Sequence, residues 1–292
     1  MASYSDIIIQ SYTGYAYYLA NEILYPSWHN YFYWLLGLSL FCWLLEILFP
    51  WRTQQAIVRR DFWLDGFYLF FNFFLFSLIG FNALSGLVSQ AFNDLLLYFF
   101  GVQNIVAIRL HDLPVWSQLL LMLVIRDFLH WNIHRLLHRV PFLWEFHKVH
   151  HSVAEMGFAA HLRYHWAETI VYRSLEYIPL AMLGFGIQDF FVVHIFSLAI
   201  GHLNHSNVYL PVGKLRYVLN TPQMHIWHHA EALPPHLPNG ANFGLTLSVW
   251  DYLFGTAYIP NDGRDIKLGF EQVESFPKGF WQQMLFPFKH HH

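Results

Sequence analysis

The sequence predicts an all-α integral membrane protein, with about four transmembrane or hairpin-forming helical spans and a histidine-rich cap on their cytoplasmic side. Three observations point there. Of 292 residues, 55% are hydrophobic and 20% aromatic but only 12% are charged, against roughly 25% charged in ordinary soluble domains. Several apolar stretches are long enough to cross a hydrocarbon layer of about 30 Å. Beyond those stretches, histidines crowd at helical spacing in two places, Asp127–His151 and Thr221–His229.

Composition also excludes. A formal net charge of −3 offers no basic footprint, so nucleic acid is not a partner. The single cysteine, Cys42, sits in an apolar run and rules out an intrachain disulfide or a cysteine-based metal site. Any metal must therefore be held by histidine and oxygen. The N-terminus lacks the basic and small-residue flanks of a cleavable signal peptide, so none is expected. Neither GxGxxG nor GxxxxGK[ST] is present for a nucleotide. The final Lys289–His292 reads equally as a tag remnant or a native tail, and its histidines are set aside.

In chain order, residues 1–30 are aromatic and sparsely charged, consistent with an interfacial segment. Tyr31–Phe49 is a first span with one charge, Glu46, ended by Pro50. Gly66–Phe92 contains no Lys, Arg, Asp or Glu and is a second span. Val115–Ile133 is a third, leading directly into His134. Segments 170–183 and 187–200, interrupted by Arg173, Glu176 and Asp189, form a helical hairpin around Gly184 and Gly186. The loops at 51–60 and 134–163 hold three and four basic residues against one, Arg109, in 93–114, which puts the first two in the cytoplasm. Three regions follow: an N-terminal membrane segment 1–114, a catalytic domain 115–260 and a C-terminal cytoplasmic tail 261–292.

The histidines fall into HxxxH (His134, His138), HxxHH (His147, His150, His151) and HxxHH again (His225, His228, His229). Positions three and four apart share one helical face, so each group can converge. Eight imidazoles exceed the roughly four ligands of one zinc site, which implies two metals. Spacing does not choose among zinc, copper, iron and nickel. Asp127 lies within about 20° of His134 and His138 around a helix. It is either an acceptor for the second N–H of a metal-bound histidine or a polar contact between helices. His29, His111, His194 and His236 belong to no such group.

The stretches DFLHWNIHRLLHRVPFLWEFHKVHHS, HLRYHWAET, LNHSN, TPQMHIWHH and NFGLTLSVWDYLFGT, within roughly residues 115–258, resemble the fatty acid hydroxylase and sterol desaturase superfamily of membrane-bound di-iron oxygenases. The resemblance implies two irons on His134, His138, His147, His150, His151, His225, His228 and His229, and it adds His205 from the HSN segment. It also brings in Arg163, His165 and Glu168, which either support the ligands, with His165 and Glu168 the candidates, or close the site against the membrane. His165 and His202 are either ligands or polar structural residues. Where the family often has Tyr in an NYG element, this chain reads Gly240-Ala241-Asn242-Phe243-Gly244, so a hydroxyl near the site is expected to be missing.

What the resemblance implies chemically is O₂ activation that removes hydrogen from an unactivated C–H bond. Rebound of hydroxyl gives an alcohol; loss of a second hydrogen gives an alkene. The expected activity is lipid hydroxylation on a sterol, fatty acyl or alkyl lipid, with desaturation as the alternative. Electrons would come from a separate donor, a cytochrome b5-like protein, a ferredoxin or a reductase. Two other readings are weighed. A di-zinc membrane hydrolase would need carboxylate ligands or a base, and no HExxH is present. A non-catalytic metal or haem carrier would need polar residues through the spans, and the second span has no charge.

Overall fold

The computed structural model describes residues 3–74, 94–101, 113–183, 185 and 187–289, and among these it is helical, with isolated β-bridges and no strand. The helices used below are α1 (Tyr4–Leu24), α2 (Tyr31–Leu48), α3 (Phe62–Phe70), α4 (Val115–Arg139), α5 (Pro141–His151), α6 (Trp166–Met182), α7 (Ile187–His205), α8 (Pro222–His228), α9 (Val249–Leu253) and α10 (Phe280–Leu285). α4 packs against α5, α6 and α7, and α2 lies along α7. Met122, Leu180, Phe185 and Val193 fill the space between α4, α6 and α7.

The expected first span is α2, which among the described residues is the one helix long and apolar enough to cross a membrane, with 11% of it buried inside the protein. The expected second span begins in α3, and its greater part lies outside the described residues. The third span starts at Val115 as expected but continues unbroken to Arg139. A helix formed by internal hydrogen bonds has no reason to stop where its hydropathy changes. α4 therefore delivers His134 and His138 on the same rigid rod that carries the apolar segment. The hairpin corresponds to α6 and α7, each reaching past its apolar stretch, α6 back to Trp166 and α7 on to His205.

The α4–α5 junction is set by one residue pair. Val140 precedes Pro141 and is extended, with φ −94° and ψ 112°, because the proline ring disfavours a helical residue before it. Pro141 then occupies the first turn of α5, where its missing N–H costs nothing. The chain doubles back and α5 lies against α4.

The cap is joined to α2 and to the first basic loop by buried charges. Glu46 of α2 accepts from the backbone N–H groups of Phe158 and Asn207, each at 2.8 Å. Arg59 pairs with Asp65, and Arg163 pairs with Asp61 at 3.1 Å and Asp65 at 3.4 Å. The C-terminal stretch is packed as well: Phe276, Phe280 and Met284 form a core cluster with Tyr68 of α3 and Val149 of α5. The Tyr68 hydroxyl donates to Gln283 Oε1 at 2.6 Å.

Asp251 of α9 is the fixing point for loop 240–246. Its carboxylate accepts from Phe243 N at 2.9 Å, Gly244 N at 2.8 Å, Trp131 Nε1 at 3.0 Å and the Thr256 hydroxyl at 2.6 Å. Asn242 holds the left-handed conformation that the loop requires, φ 55°, and its amide donates to Met224 O at 2.8 Å and Tyr258 O at 2.7 Å. Replacing the fully buried Asp251 by Ala strands these donors together, and loss of stability of at least about 3 kcal/mol is expected in denaturant unfolding.

Candidate metal centre

Five imidazoles, His134, His138, His147, His151 and His228, place a ring nitrogen each within 4.8 Å of one another; His150, His205, His225 and His229 form a second group on the same criterion. Each HxxHH stretch contributes to both groups. On α5, His147 and His151 are one turn apart and join the first, while His150 faces the second. On α8, His228 joins the first, and His225 with the cap residue His229 join the second. Thr221 starts α8 by accepting from Met224 N at 3.2 Å, followed by Pro222 in the first turn.

Most of these rings are oriented by a hydrogen bond at Nδ1. His134 donates to Phe243 O at 2.8 Å, His150 to Arg163 O at 3.0 Å, His205 to Gly201 O at 2.7 Å and His228 to Ala241 O at 2.8 Å. A carbonyl only accepts, so in the neutral ring the proton sits on Nδ1 and Nε2 keeps its lone pair. The Nε2 atoms nevertheless face each other in a buried space. His150 and His205 are 3.4 Å apart, His134 and His147 3.1 Å, His225 and His205 3.0 Å, and His229 and His225 3.3 Å. His138, His151 and His228 have Nε2 buried without any partner.

Lone pairs directed at one another in a dry interior repel, and burial forgoes their hydration. A cation between them reverses the sign. Imidazole nitrogens about 2.0–2.1 Å from a shared metal stand roughly 3.0–3.4 Å from each other in tetrahedral or octahedral geometry, which is the observed spacing. The residues present therefore fit two metal ions, one per group. Burial first, and crowding by other rings second, hold the His134, His147, His151 and His229 pKa values well below 6.5. Burial takes His150 down to about 4. The rings are thus neutral at pH 7, as ligation requires.

The supporting residues sort as follows. Glu168 Oε2 lies 2.7 Å from His147 Nδ1, the carboxylate–histidine contact expected of it. Burial pushes the Glu168 carboxyl up to about 8; a cation on the far side of His147 favours the carboxylate. Asp127 contacts no imidazole through its oxygens, and accepts instead from Thr246 N at 3.0 Å, Leu247 N at 3.1 Å and Trp250 Nε1 at 3.0 Å. The helix angle aligned it with His134 and His138, but a helical face two turns long spans different neighbours, and Asp127 meets the 246–250 segment. His165 is turned away from both groups, donating from Nε2 to Met284 O at 3.0 Å and accepting at Nδ1 from Ala167 N at 3.1 Å. His202 is engaged by His161 Nδ1 at 2.8 Å and Ser39 Oγ at 3.0 Å.

Sequence reasoning did not single out Asp251, His161 or the carbonyls of Arg163, Gly201, Ala241 and Phe243. Backbone acceptors have no sequence signal. The Tyr-to-Phe departure at Phe243 is accommodated: its carbonyl serves His134, and its ring packs on His138 and His228 at 5.1 and 5.7 Å. Gly201 passes so close to His161 that a Cβ there would lie 2.3 Å from its Cε1.

His134, His147, His150, His205 and His225, with Glu168, form one wall of a cavity of about 500 Å³. The rest of its lining is mixed, with Tyr31, Leu35, Phe73, Phe190 and Phe191 beside Arg126, His130 and Glu176.

Helical packing of the described residues around two groups of histidines beside this cavity defines a helical, histidine-rich protein with two candidate metal sites. Residues 119–256 match the family described as fatty acid hydroxylase, and this stretch is a domain of that family. It is 34% identical over 175 residues to ornithine lipid hydroxylase OlsE of Rhizobium tropici, covering 60% of this chain and 51% of that protein. It is 31% identical over 138 residues to the alkylglycerol monooxygenase of Homo sapiens, covering 47% and 29%. To the very-long-chain aldehyde decarbonylase GL1-10 of Oryza sativa subsp. japonica it is 28% identical over 143 residues, covering 48% and 46%. The matched stretch thus spans about half the length or less of these relatives. No solved structure matches.

Glu168→Gln removes the carboxylate from His147 while keeping its shape; metal affinity is expected to fall about 10–100-fold, read by equilibrium dialysis. The pH response follows from lowered histidine pKa values. The unfolded chain binds protons below about 6.5, whereas folded His150 resists to about 4. Stability and metal content are therefore full above pH 6.5 and fall as pH drops towards 4, measurable by denaturation and metal analysis at stepped pH.

Proposed function

We propose that this protein is an O₂-dependent di-iron hydroxylase acting on an unactivated C–H bond of a membrane lipid. The observation that carries the reading is the pair of imidazole groups whose converging Nε2 lone pairs open onto a lipid-sized apolar cavity. His134, His138, His147, His151 and His228 would hold one iron, and His150, His205, His225 and His229 the other. The identity of the metal rests on family membership, because imidazole donors alone also suit zinc and copper. The printed names of the relatives, an ornithine lipid hydroxylase and an alkylglycerol monooxygenase, support a lipid substrate and insertion of oxygen.

Two irons bound there would supply O₂ reduction and hydrogen removal from carbon. The chain's own residues have narrower tasks. Carbonyls of Arg163, Gly201, Ala241 and Phe243 hold four rings with Nε2 inward. Glu168 takes or returns a proton at His147 Nδ1 as the charge beyond the ring changes. The Phe243 ring and the apolar cavity wall exclude water. The cavity would have to hold the target carbon at a near-attack distance, about 3–3.5 Å, from the reacting centre.

The protein on this reading is a multi-pass membrane protein with its site on the cytoplasmic side, organised as segments 1–114, 115–260 and 261–292 and reduced by a separate electron donor. Exposed aromatic residues on α1, α2 and the turn between them, such as Tyr17, Phe41 and Trp28, support contact with lipid. The test is lipid mass spectrometry of cells with and without the intact gene, paired with metal analysis of the purified protein. A lipid that gains one oxygen and about two irons per chain are expected. Loss of two hydrogens would make it a desaturase; one metal or none in folded protein would overturn the di-iron site.

A further inference from the structure

The cavity wall beside the histidine groups contains a buried polar network that metal binding does not use. Arg126 of α4 donates to Ser197 Oγ of α7 at 2.7 Å and lies 3.3 Å from Glu176 Oε2 of α6. The other Glu176 oxygen lies 2.6 Å from His130 Nδ1 of α4, and the His130 ring stacks on Tyr172 with centroids 4.4 Å apart. The Arg126 and Glu176 side chains are 9% and 3% exposed, whereas His130 retains 16%. All five residues line the cavity. Placing an ion pair in such a wall carries a desolvation penalty that an apolar pair of the same shape would avoid.

We infer that His130, held by Glu176 and Arg126, is a specificity-determining subsite that accepts a hydrogen bond from a neutral donor, a hydroxyl or amide N–H, on the lipid substrate. The inference rests on the cavity being the substrate site. A carboxylate accepts only, so in the neutral ring the His130 proton sits on Nδ1 towards Glu176 and Nε2 is an acceptor. Arg126 and Glu176 cancel each other's charge, so the subsite has no net attraction for a phosphate or a carboxylate. His130 stands one helical turn from His134, with ring centroids 6.2 Å apart. A substrate anchored there presents a carbon only a few bonds from its polar group to the imidazole wall, and its tail runs towards Tyr31, Phe73 and Phe190. Oxidation then falls near the polar end of the lipid rather than near the tail's end.

The test compares binding of tritiated 1-hexadecanol with that of 1-methoxyhexadecane, which has the same tail and no donor, to the full-length protein in detergent. Wild type is expected to bind the alcohol about tenfold or more tightly, because a site built to pair a hydroxyl rejects the analogue lacking it. His130→Phe keeps the ring stack and should bring the two within about twofold while metal content stays unchanged. Glu176→Gln serves if His130→Phe does not fold: its amide donates to Nδ1, moves the ring proton to Nε2, and should erase the preference by giving the ether oxygen a donor. Equal binding by wild type, or a preference that survives either substitution, would overturn the subsite. Binding needs neither metal nor oxygen, so a protein that shows this preference yet oxidises no lipid refutes the proposed activity and upholds the subsite.

Discussion

Packing of nine imidazoles, eight of them buried, with their ring nitrogens converging is the constraint on which the cap depends. Each such ring loses hydration, and several meet another lone pair at hydrogen-bond distance. Protonation would relieve the lone pairs but place like charges side by side in a dry interior, which desolvation and the neighbouring rings oppose. Only a shared cation satisfies many acceptors at once. The surrounding structure therefore has to resist collapse and hold the rings apart, which a hydrophobic core of the same volume would not need.

That resistance comes from polar anchors behind the rings. Asp251 gathers Phe243 N, Gly244 N, Trp131 and Thr256, and the loop it fixes offers carbonyls to His134 and His228. Arg163 is held by Asp61 and Asp65, and its own carbonyl orients His150. Asp127 pins Thr246, Leu247 and Trp250 to α4. Buried carboxylates thus act at one remove from the rings, through the backbone they position, and this is why a cap so rich in histidine also buries so many acids.

The cavity joins the cap to the apolar half of the chain. Its lining brings imidazoles and Glu168 together with aromatic and aliphatic side chains and the Arg126–Glu176 pair. Glu46 and Ser39 on α2 tie that apolar half to the cap through Phe158, Asn207 and His202. Movement of α2 would be felt at the histidines.

The sequence by itself determined the helical class, the grouping of the eight box histidines and the start of α4, because helical periodicity is a local effect of backbone geometry, whereas the Val140-Pro141 break that starts α5 was read only from the structure. His205 became visible only through resemblance: His202 stands three residues before it on α7 but turns to His161 and Ser39 instead. Tertiary structure alone decided how the rings divide between two groups, with His147 and His151 parting from His150, and His228 from His225 and His229. It also decided that Asp127 serves a loop and that His165 faces Met284. Which side of a helix meets which neighbour depends on packing between segments more than a hundred residues apart, and the carbonyls that set each ring's proton are present at every position of the chain, so no residue type marks them.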